Sequence, residues 1–455
     1  METERSAPEL HLPRDLPRKL GAWSALAIVV GTTIGSGIFR SPAAIADRLP
    51  GPLPMMGIWV AAGLFVLCGA LTLAELAGTY PSSGGPYMFI REAWGRVPAF
   101  LFGWTQLVLI RAAALGGIST VFAEYSLRVS GFNPAVEPYS SYVHYLAAAA
   151  IILVGIFNYV GVTWGALVQN ITTIAKFGAL LVIILFAFAL GLPQTGGHYT
   201  PAVPAGSFSI APVGLAMVSV LWAYDGWADA SFVSGEVKNP RRNLPIALIG
   251  GTAAIIIIYL LANMAYLAVL PVEEIRRSPL VAADVAQRVM GGPGVLFVGL
   301  TVVVSTFGAL NGSMLTGPRT LFALAERGSV FRPLGKVHPK FQTPYVSIVV
   351  ATVLGVAFVL YADFEGLADA FVTGIVPFYG LAVAAIYPLR RRAGHNPPFR
   401  VPGYPVVPAL FVLATIYLLV NALIDPSSRW STAGVFAVIL AGIPVYYATR
   451  PRSQP

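Results

Sequence analysis

The chain has 455 residues, 56% of them hydrophobic and 11% charged, with a mean hydropathy of +0.73. This excludes a soluble domain of that length, and the single cysteine excludes an intramolecular disulfide. The net charge of +9 does not call for nucleic acid, because about 20 of the Lys and Arg lie in one set of alternate loops and tails, including Arg14, Arg18, Lys19, Arg91, Arg96, Lys238, Arg241, Arg242, Arg327, Lys336, Lys340, Arg390, Arg391, Arg392 and Arg450.

Apolar runs of about 20 residues, the length that crosses hydrocarbon, recur about twelve times. They lie near 22–48, 54–78, 97–128, 141–161, 163–190, 209–233, 245–270, 294–325, 343–361, 365–389, 405–424 and 431–448. The expected class is an all-α polytopic protein of a lipid bilayer. Its polar, Pro-containing tail 1–21 is not a cleavable signal peptide, since the apolar stretch behind it is too long and too broken for one. The positive-inside bias predicts both this tail and 449–455 on the cytoplasmic side of a cell membrane, with Glu273, Glu274, Asp363, Glu365 and Asp369 towards the other face.

The first segment is interrupted by GTTIGSGIF, Gly31 to Phe39. In lipid an apolar helix satisfies its own backbone, so such a break is tolerated only where the freed groups line a cavity or are buried in protein. Gly35, Ser36 and Gly37 offer amides to a carboxylate, and the carbonyls around Thr33 and Ile34 offer the negative end of a helix dipole to an ammonium. A Gly-mediated helix contact is the alternative for one such run. Cys68 lies inside the second segment. The loop PSSGGPY (Pro81 to Tyr87) lacks the Lys-Ser/Thr and the strand-to-helix context of a phosphate-binding loop.

Segment three carries Arg111 and segment five carries Lys176; neither charge is expected to face lipid. An ammonium midway along segment five can replace a bound sodium ion, take part in proton transfer, or cap the carbonyls of the broken helix. For Arg111 a structural pairing is expected. Segment six is broken in turn by WAYDGW, Trp222 to Trp227. The ring of Trp222 suits a gate and Asp225 suits an ammonium or a proton, while Trp227 suits packing. A second break at the corresponding place argues against the helix-contact alternative for the first.

In segment eight Asn311 has two readings, one facing a cavity and one gluing helices. The loop PPFRVPGYPVVP (Pro397 to Pro408) reads as a stiff connector. Breaks in segments one and six divide the chain into five-span repeats at 22–190 and 206–389, the second inverted because each has an odd number of spans. Spans at 405–448 are then an appendage. No HExxH, GxSxG or paired Cys/His set is present, so neither an enzyme nor a metal or other cofactor is expected.

Together GTTIGSGIF, VQNITTIAKFGALL, LWAYDGWADASFVSGEVKNPRRNLP, STFGALNGSMLTGPR and the loops YPSSGGPYMFIREAWG and PFRVPGYPVVP resemble the amino acid-polyamine-organocation (APC) superfamily, in its L-type amino acid transporter-like branch. The resemblance implies a LeuT-like 5+5 inverted repeat that alternates access to a central site. It implies that Ser36 and Gly37 hold the substrate carboxylate, with Gly35 shaping the turn. The carbonyls of Thr33, Trp222 and Ala223 then hold the α-ammonium, Trp222 is the aromatic gate, and Lys176 matches a lysine associated with sodium-independent or proton-linked transport. Asp225 departs from the Gly common in eukaryotic L-type members. Those members also pair with a glycoprotein through an outer-loop cysteine that this chain lacks, so no disulfide-linked partner is expected. The expected function is sodium-independent amino acid exchange or proton symport. A pore for a small polar solute and a non-transporting amino acid sensor are the alternatives.

Overall fold

The computed structural model describes residues 18, 20–81, 84–160, 165–204, 212–278, 280–326, 332–341, 343–392 and 395–449, without the side chains of 165–173, 319, 320, 322–324, 326 and 332. Arg14, Lys19, Arg327 and Arg450 therefore lie outside the described residues, as do Ser82 and Ser83 of the Gly-rich loop and the first residues expected in segments five and six. The described secondary structure is helical: α1 (Ala22–Thr33), α2 (Gly37–Arg48), α3 (Pro52–Thr79), α4 (Arg96–Val129), α5 (Tyr139–Val160), α6 (Gly165–Phe186), α7 (Val213–Tyr224), α8 (Pro240–Val269), α9 (Val281–Glu326), α10 (Tyr345–Tyr361), α11 (Phe364–Arg390), α12 (Val406–Ile424) and α13 (Arg429–Thr449). Among the described residues nine helices are long and apolar enough to cross a membrane, α1 and α2 form a tenth span bent by 43°, and α7 and α10 are shorter apolar helices. These occupy the twelve places expected, and the chain is a multi-pass membrane protein.

In its apolar 18-residue stretch α4 has 78% of its residues buried and α11 72%, whereas α13 has 22%. The first two therefore stand at the centre of the bundle and the last at its rim. Leu64, Ile257, Val353 and Leu413 are exposed and form part of the face that lipid would cover. The side of the bundle that holds Leu20 is called the tail side below. There Leu20 pairs with the loop after the second break, its N–H donating to Glu236 O (2.9 Å) and its carbonyl accepting from Lys238 N (2.7 Å). The opposite side is the far side.

The Pro-rich loop is held at the tail side by Glu75, whose side chain is fully buried on α3. That carboxylate accepts from Arg390 Nε (2.6 Å) and Nη2 (2.5 Å), from Val401 N (2.7 Å) and at 3.1 Å from His395 Nε2. Arg390 also stacks 3.8 Å from the Tyr404 ring. Four donors on one buried anion make the loop a fixed part of the fold.

Helix α9 begins at Val281, well before the 294 expected. Its lead contains Asp284, Gln287 and Arg288 and ends where Gly291 takes φ 68°, so it reads as polar in an apolar count. It is tied to the far end of α4 by Arg128 Nη2, 3.1 Å from Asp284 Oδ1.

Candidate functional site

The two expected breaks meet. Helix α1 ends at Thr33, Ile34 leaves helical geometry with ψ 82°, and α2 restarts at Gly37. Helix α7 ends at Tyr224, Asp225 is extended with ψ 147°, and Gly226 takes φ 106°. A Cβ at Gly37 would lie 2.3 Å from Ala223 Cα, and one at Gly226 would lie 2.7 Å from Thr33 N. The breaks are thus in backbone contact, and a side chain at either glycine would force them apart.

This contact has a hydrogen-bonded centre that sequence reasoning missed. The buried hydroxyl of Tyr259, on α8, lies 2.7 Å from Thr33 O and 3.0 Å from Ala223 O. One O–H proton is shared between two carbonyls; Thr33 O also accepts from Gly35 N (2.7 Å), while Ala223 O keeps acceptor capacity for a further donor. Trp59, Tyr224 and Tyr259 pack ring against ring around it, with centroids 5.2 to 5.7 Å apart. A tyrosine in a largely apolar span, which also holds Asn263 and Tyr266, was the available signal. Its partners, however, come from two distant segments.

Lys176 is 1% exposed, and its Nζ donates to Gly31 O at 2.6 Å. It therefore caps one of the last carbonyls of α1, where the helix dipole is negative. Ser36 is buried at the head of α2, and its Oγ accepts from Trp222 Nε1 at 3.3 Å. The first N–H groups of a helix have no intrahelical acceptor, so those of Gly37 and Ile38 at the start of α2 face the break, while Phe39 N–H bonds back to Ser36 O (3.2 Å). Trp222 packs edge-on against Phe364 (5.6 Å) and Phe371 (5.1 Å). Ile34 is buried and its N–H bonds back to Val30 O (3.0 Å). The carbonyl of Trp222 accepts from Asp225 N at 3.4 Å.

Asn311 stands elsewhere: its Oδ1 accepts from Asn158 Nδ2 on α5 (2.9 Å). This contact links α9 to α5, and no contact joins Asn311 to either break among the described residues. The tip of the Gly-rich loop supports the second break, with Gly84 N donating to Phe232 O at 3.0 Å. Trp227 packs on Tyr379 and Phe411, as expected of a packing residue.

On the far side of Trp222 the charges are in contact. Arg40 of α2 reaches Glu365 (2.9 Å) and Glu124 (3.4 Å), and its guanidinium lies 5.3 Å from the Phe364 ring centroid. Arg48 donates to Leu215 O (2.5 Å) and Ser219 Oγ, with Asp369 at 3.4 Å. Helices α2, α4, α7 and α11 are thereby joined above Trp222. On the tail side Thr32 is exposed and Asp225, Asp229 and Arg111 are half-buried. Asp225 Oδ1 accepts from Tyr379 at 3.3 Å.

The sequence model of the amino acid permease family matches residues 20–445. The chain is 32% identical to the human b(0,+)-type amino acid transporter 1 over 433 residues, covering 95% of this chain and 88% of that one. It is also 32% identical to the serine/threonine exchanger SteT of Bacillus subtilis over 442 residues, covering 96% and 98%. With the human cystine/glutamate transporter it shares 31% over 433 residues, covering 95% and 85%. The chain belongs to the amino acid permease family, within the APC superfamily.

Proposed function

We propose that this permease-family chain is a sodium-independent amino acid exchanger that alternates access to the junction of its two breaks. The observation that carries this reading is the backbone contact of Gly37 with Ala223 and of Gly226 with Thr33, which sets free amides and helix-end carbonyls side by side. An amino acid carries the complementary pair: its carboxylate suits the N–H groups at Ser36 and Gly37 with the Ser36 hydroxyl, and its ammonium suits the carbonyls of Thr33, Trp222 and Ala223. Substrate entering the junction would compete with the Trp222 bond to Ser36 and share the carbonyls now held by Tyr259. Asp225, one residue beyond the helix end, faces the side-chain end of such a substrate.

Lys176 supports sodium independence, because a fixed ammonium on Gly31 O supplies at α1 the positive charge that a bound cation would otherwise bring. The layer formed by Trp222, Phe364, Phe371, Arg40 and Arg48 covers the junction on the far side, while Thr32 is exposed on the tail side. That asymmetry fits one state of an alternating cycle and has no counterpart in a continuously open pore. Repeats at 22–190 and 206–389, cytoplasmic termini in a cell membrane, and function without a disulfide-linked partner complete the proposal. Two relatives are named as an exchanger of serine and threonine and as a transporter of cystine and glutamate, which supports exchange over proton symport.

The test is uptake of radiolabelled amino acids into sodium-free proteoliposomes, empty or preloaded with amino acid. Uptake confined to preloaded vesicles is the expected result. Uptake into empty vesicles driven by an inward proton gradient would replace exchange with symport, and non-saturating flux would replace the transporter with a pore.

A further inference from the structure

The side chain of Trp222 lies in a slot whose floor is bare backbone. Its indole N–H donates to Ser36 Oγ at 3.3 Å, and its ring meets Phe364 and Phe371 of α11 edge-on, at 5.6 and 5.1 Å between centroids. The six-membered half of the indole rests against α4. There a Cβ built on Gly117 would stand 2.6 Å from Cη2 and 2.9 Å from Cζ2 of the ring. Ordinary contacts between carbon atoms begin near about 3.5 Å, so a methyl group at 117 and the indole cannot share this place. The ring would have to move by about 1 Å. Being planar and rigid it moves as one body, and whichever way it turns it presses on Phe364 and Phe371 or leaves Ser36, whose bond fails beyond about 3.5 Å. The neighbouring Gly116 meets a different environment. A Cβ at Gly116 would lie 3.0 and 3.2 Å from the two methyl groups of Leu367, which a small rotamer change can withdraw. Of two adjacent glycines on α4, one therefore faces a flexible side chain and the other the rigid ring that covers the junction.

We propose that Gly117 is a positioning residue for the gate: by presenting no side chain, it leaves the slot in which the Trp222 ring lies when the far side is closed. This rests on the reading that the junction binds an amino acid and that Trp222 covers it. In the closed arrangement the ring is held by its seat on α4, its two aromatic edges and its bond to Ser36. A methyl group at 117 removes the seat and strains the other contacts. That penalty falls on the closed state, because a ring swung away from the junction leaves the slot on α4. The population then moves towards molecules open on the far side. Gly117 acts on the substrate through Trp222, and its effect must vanish when the part of the ring that occupies the slot is absent.

The experiment is a double-mutant cycle between Gly117→Ala and Trp222→Phe. It uses full-length protein in vesicles of known orientation and follows exchange of whichever of radiolabelled serine, leucine, lysine and glutamate the wild type carries best. Phenylalanine keeps an aromatic cover but lacks the Cη2 and Cζ2 atoms that meet position 117. Alone, Gly117→Ala is expected to lower the half-saturation concentration from the far side by about fivefold and to raise it from the tail side. Exchange should slow by about tenfold or more, since every cycle passes through the far-side-closed state. In the Trp222→Phe background the same substitution is expected to change each quantity by less than about twofold. Gly116→Ala is the control for crowding of α4 and should leave the balance between the two sides in place. Equal effects of Gly117→Ala in both backgrounds, no effect in the wild type, or an equal shift by Gly116→Ala overturns the proposal. Should Gly117→Ala alone fail to give monodisperse protein, recovery carries the cycle: the double variant must then be recovered, and its loss overturns the proposal equally. A wild type that exchanges none of the four amino acids would instead defeat the transport reading beneath it, a result distinguishable from any missing coupling.

Discussion

The two ends of the junction hold the same kinds of charged residue in opposite arrangements. On the far side Arg40 touches Glu365 and Glu124, and Arg48 meets Asp369, so the charges are spent on one another and hold four helices together. On the tail side Asp225, Asp229 and Arg111 form no ion pair among the described residues, and Asp225 accepts from the Tyr379 hydroxyl instead. The difference is one of helix position. Arg40 and Arg48 project from α2 directly towards the start of α11, whereas Arg111 is on α4 and its carboxylates lie beyond the break in span six. Charges in contact close a layer on the far side, and the tail side has no such layer among the described residues.

The largest effect is expected at the seam that separates the two regions. Gly37→Leu places a side chain where Ala223 Cα already lies, so the breaks must part and the binding geometry is lost; transport should fall at least about 100-fold in protein that still inserts and purifies. Substrate-induced thermal stabilisation should vanish with it, and an unchanged affinity would remove the first break from the site. Next in size is Lys176→Ala, which leaves Gly31 O without its buried donor. A cost of about 1–3 kcal/mol in stability and a loss of transport of roughly tenfold are expected, with an altered pH profile. Normal transport with a normal profile would make Lys176 a bystander. Smaller again, Asp225→Gly takes one anion from the tail-side group. It should change the order of preferred substrates several-fold with little loss for the best of them, and an unchanged substrate panel would separate Asp225 from selectivity.

Much of this architecture was legible because hydrocarbon demands about 20 apolar residues per crossing, and because a Gly-rich break inside such a run has few explanations. The breaks at Gly35–Gly37 and at Trp222–Trp227 were accordingly visible. Tyr259 was not, since a hydroxyl becomes informative only when its acceptors are known, and these come from α1 and α7. The ion pairs of Arg40 were hidden for the same reason, each partner being set by helix packing across long separations. Asn311 had two readings from sequence, and its partner Asn158 could not be read there because it comes from α5. The lead of α9 was missed because Asp284, Gln287 and Arg288 make it too polar for a hydropathy count.

The smallest expected effect tests the far side itself. Glu365→Gln removes the charge from the more exposed of Arg40's two partners, whose side chain is 38% exposed, and an ion pair open to water contributes at most about 1 kcal/mol. Weakening the far-side layer raises the population of molecules open there. The apparent affinity for substrate presented from that side scales with that population, so its half-saturation concentration should fall by up to about fivefold. Measurement requires vesicles of known orientation, because substrate presented from the tail side should show the opposite trend. Arg128→Gln is the control: Arg128 pairs with Asp284 on the same side but joins α4 to α9 and leaves α2 untouched. If Arg128→Gln shifts the two affinities as much as Glu365→Gln does, any lost far-side charge suffices, and the contact of Arg40 with α11 is not what closes this face.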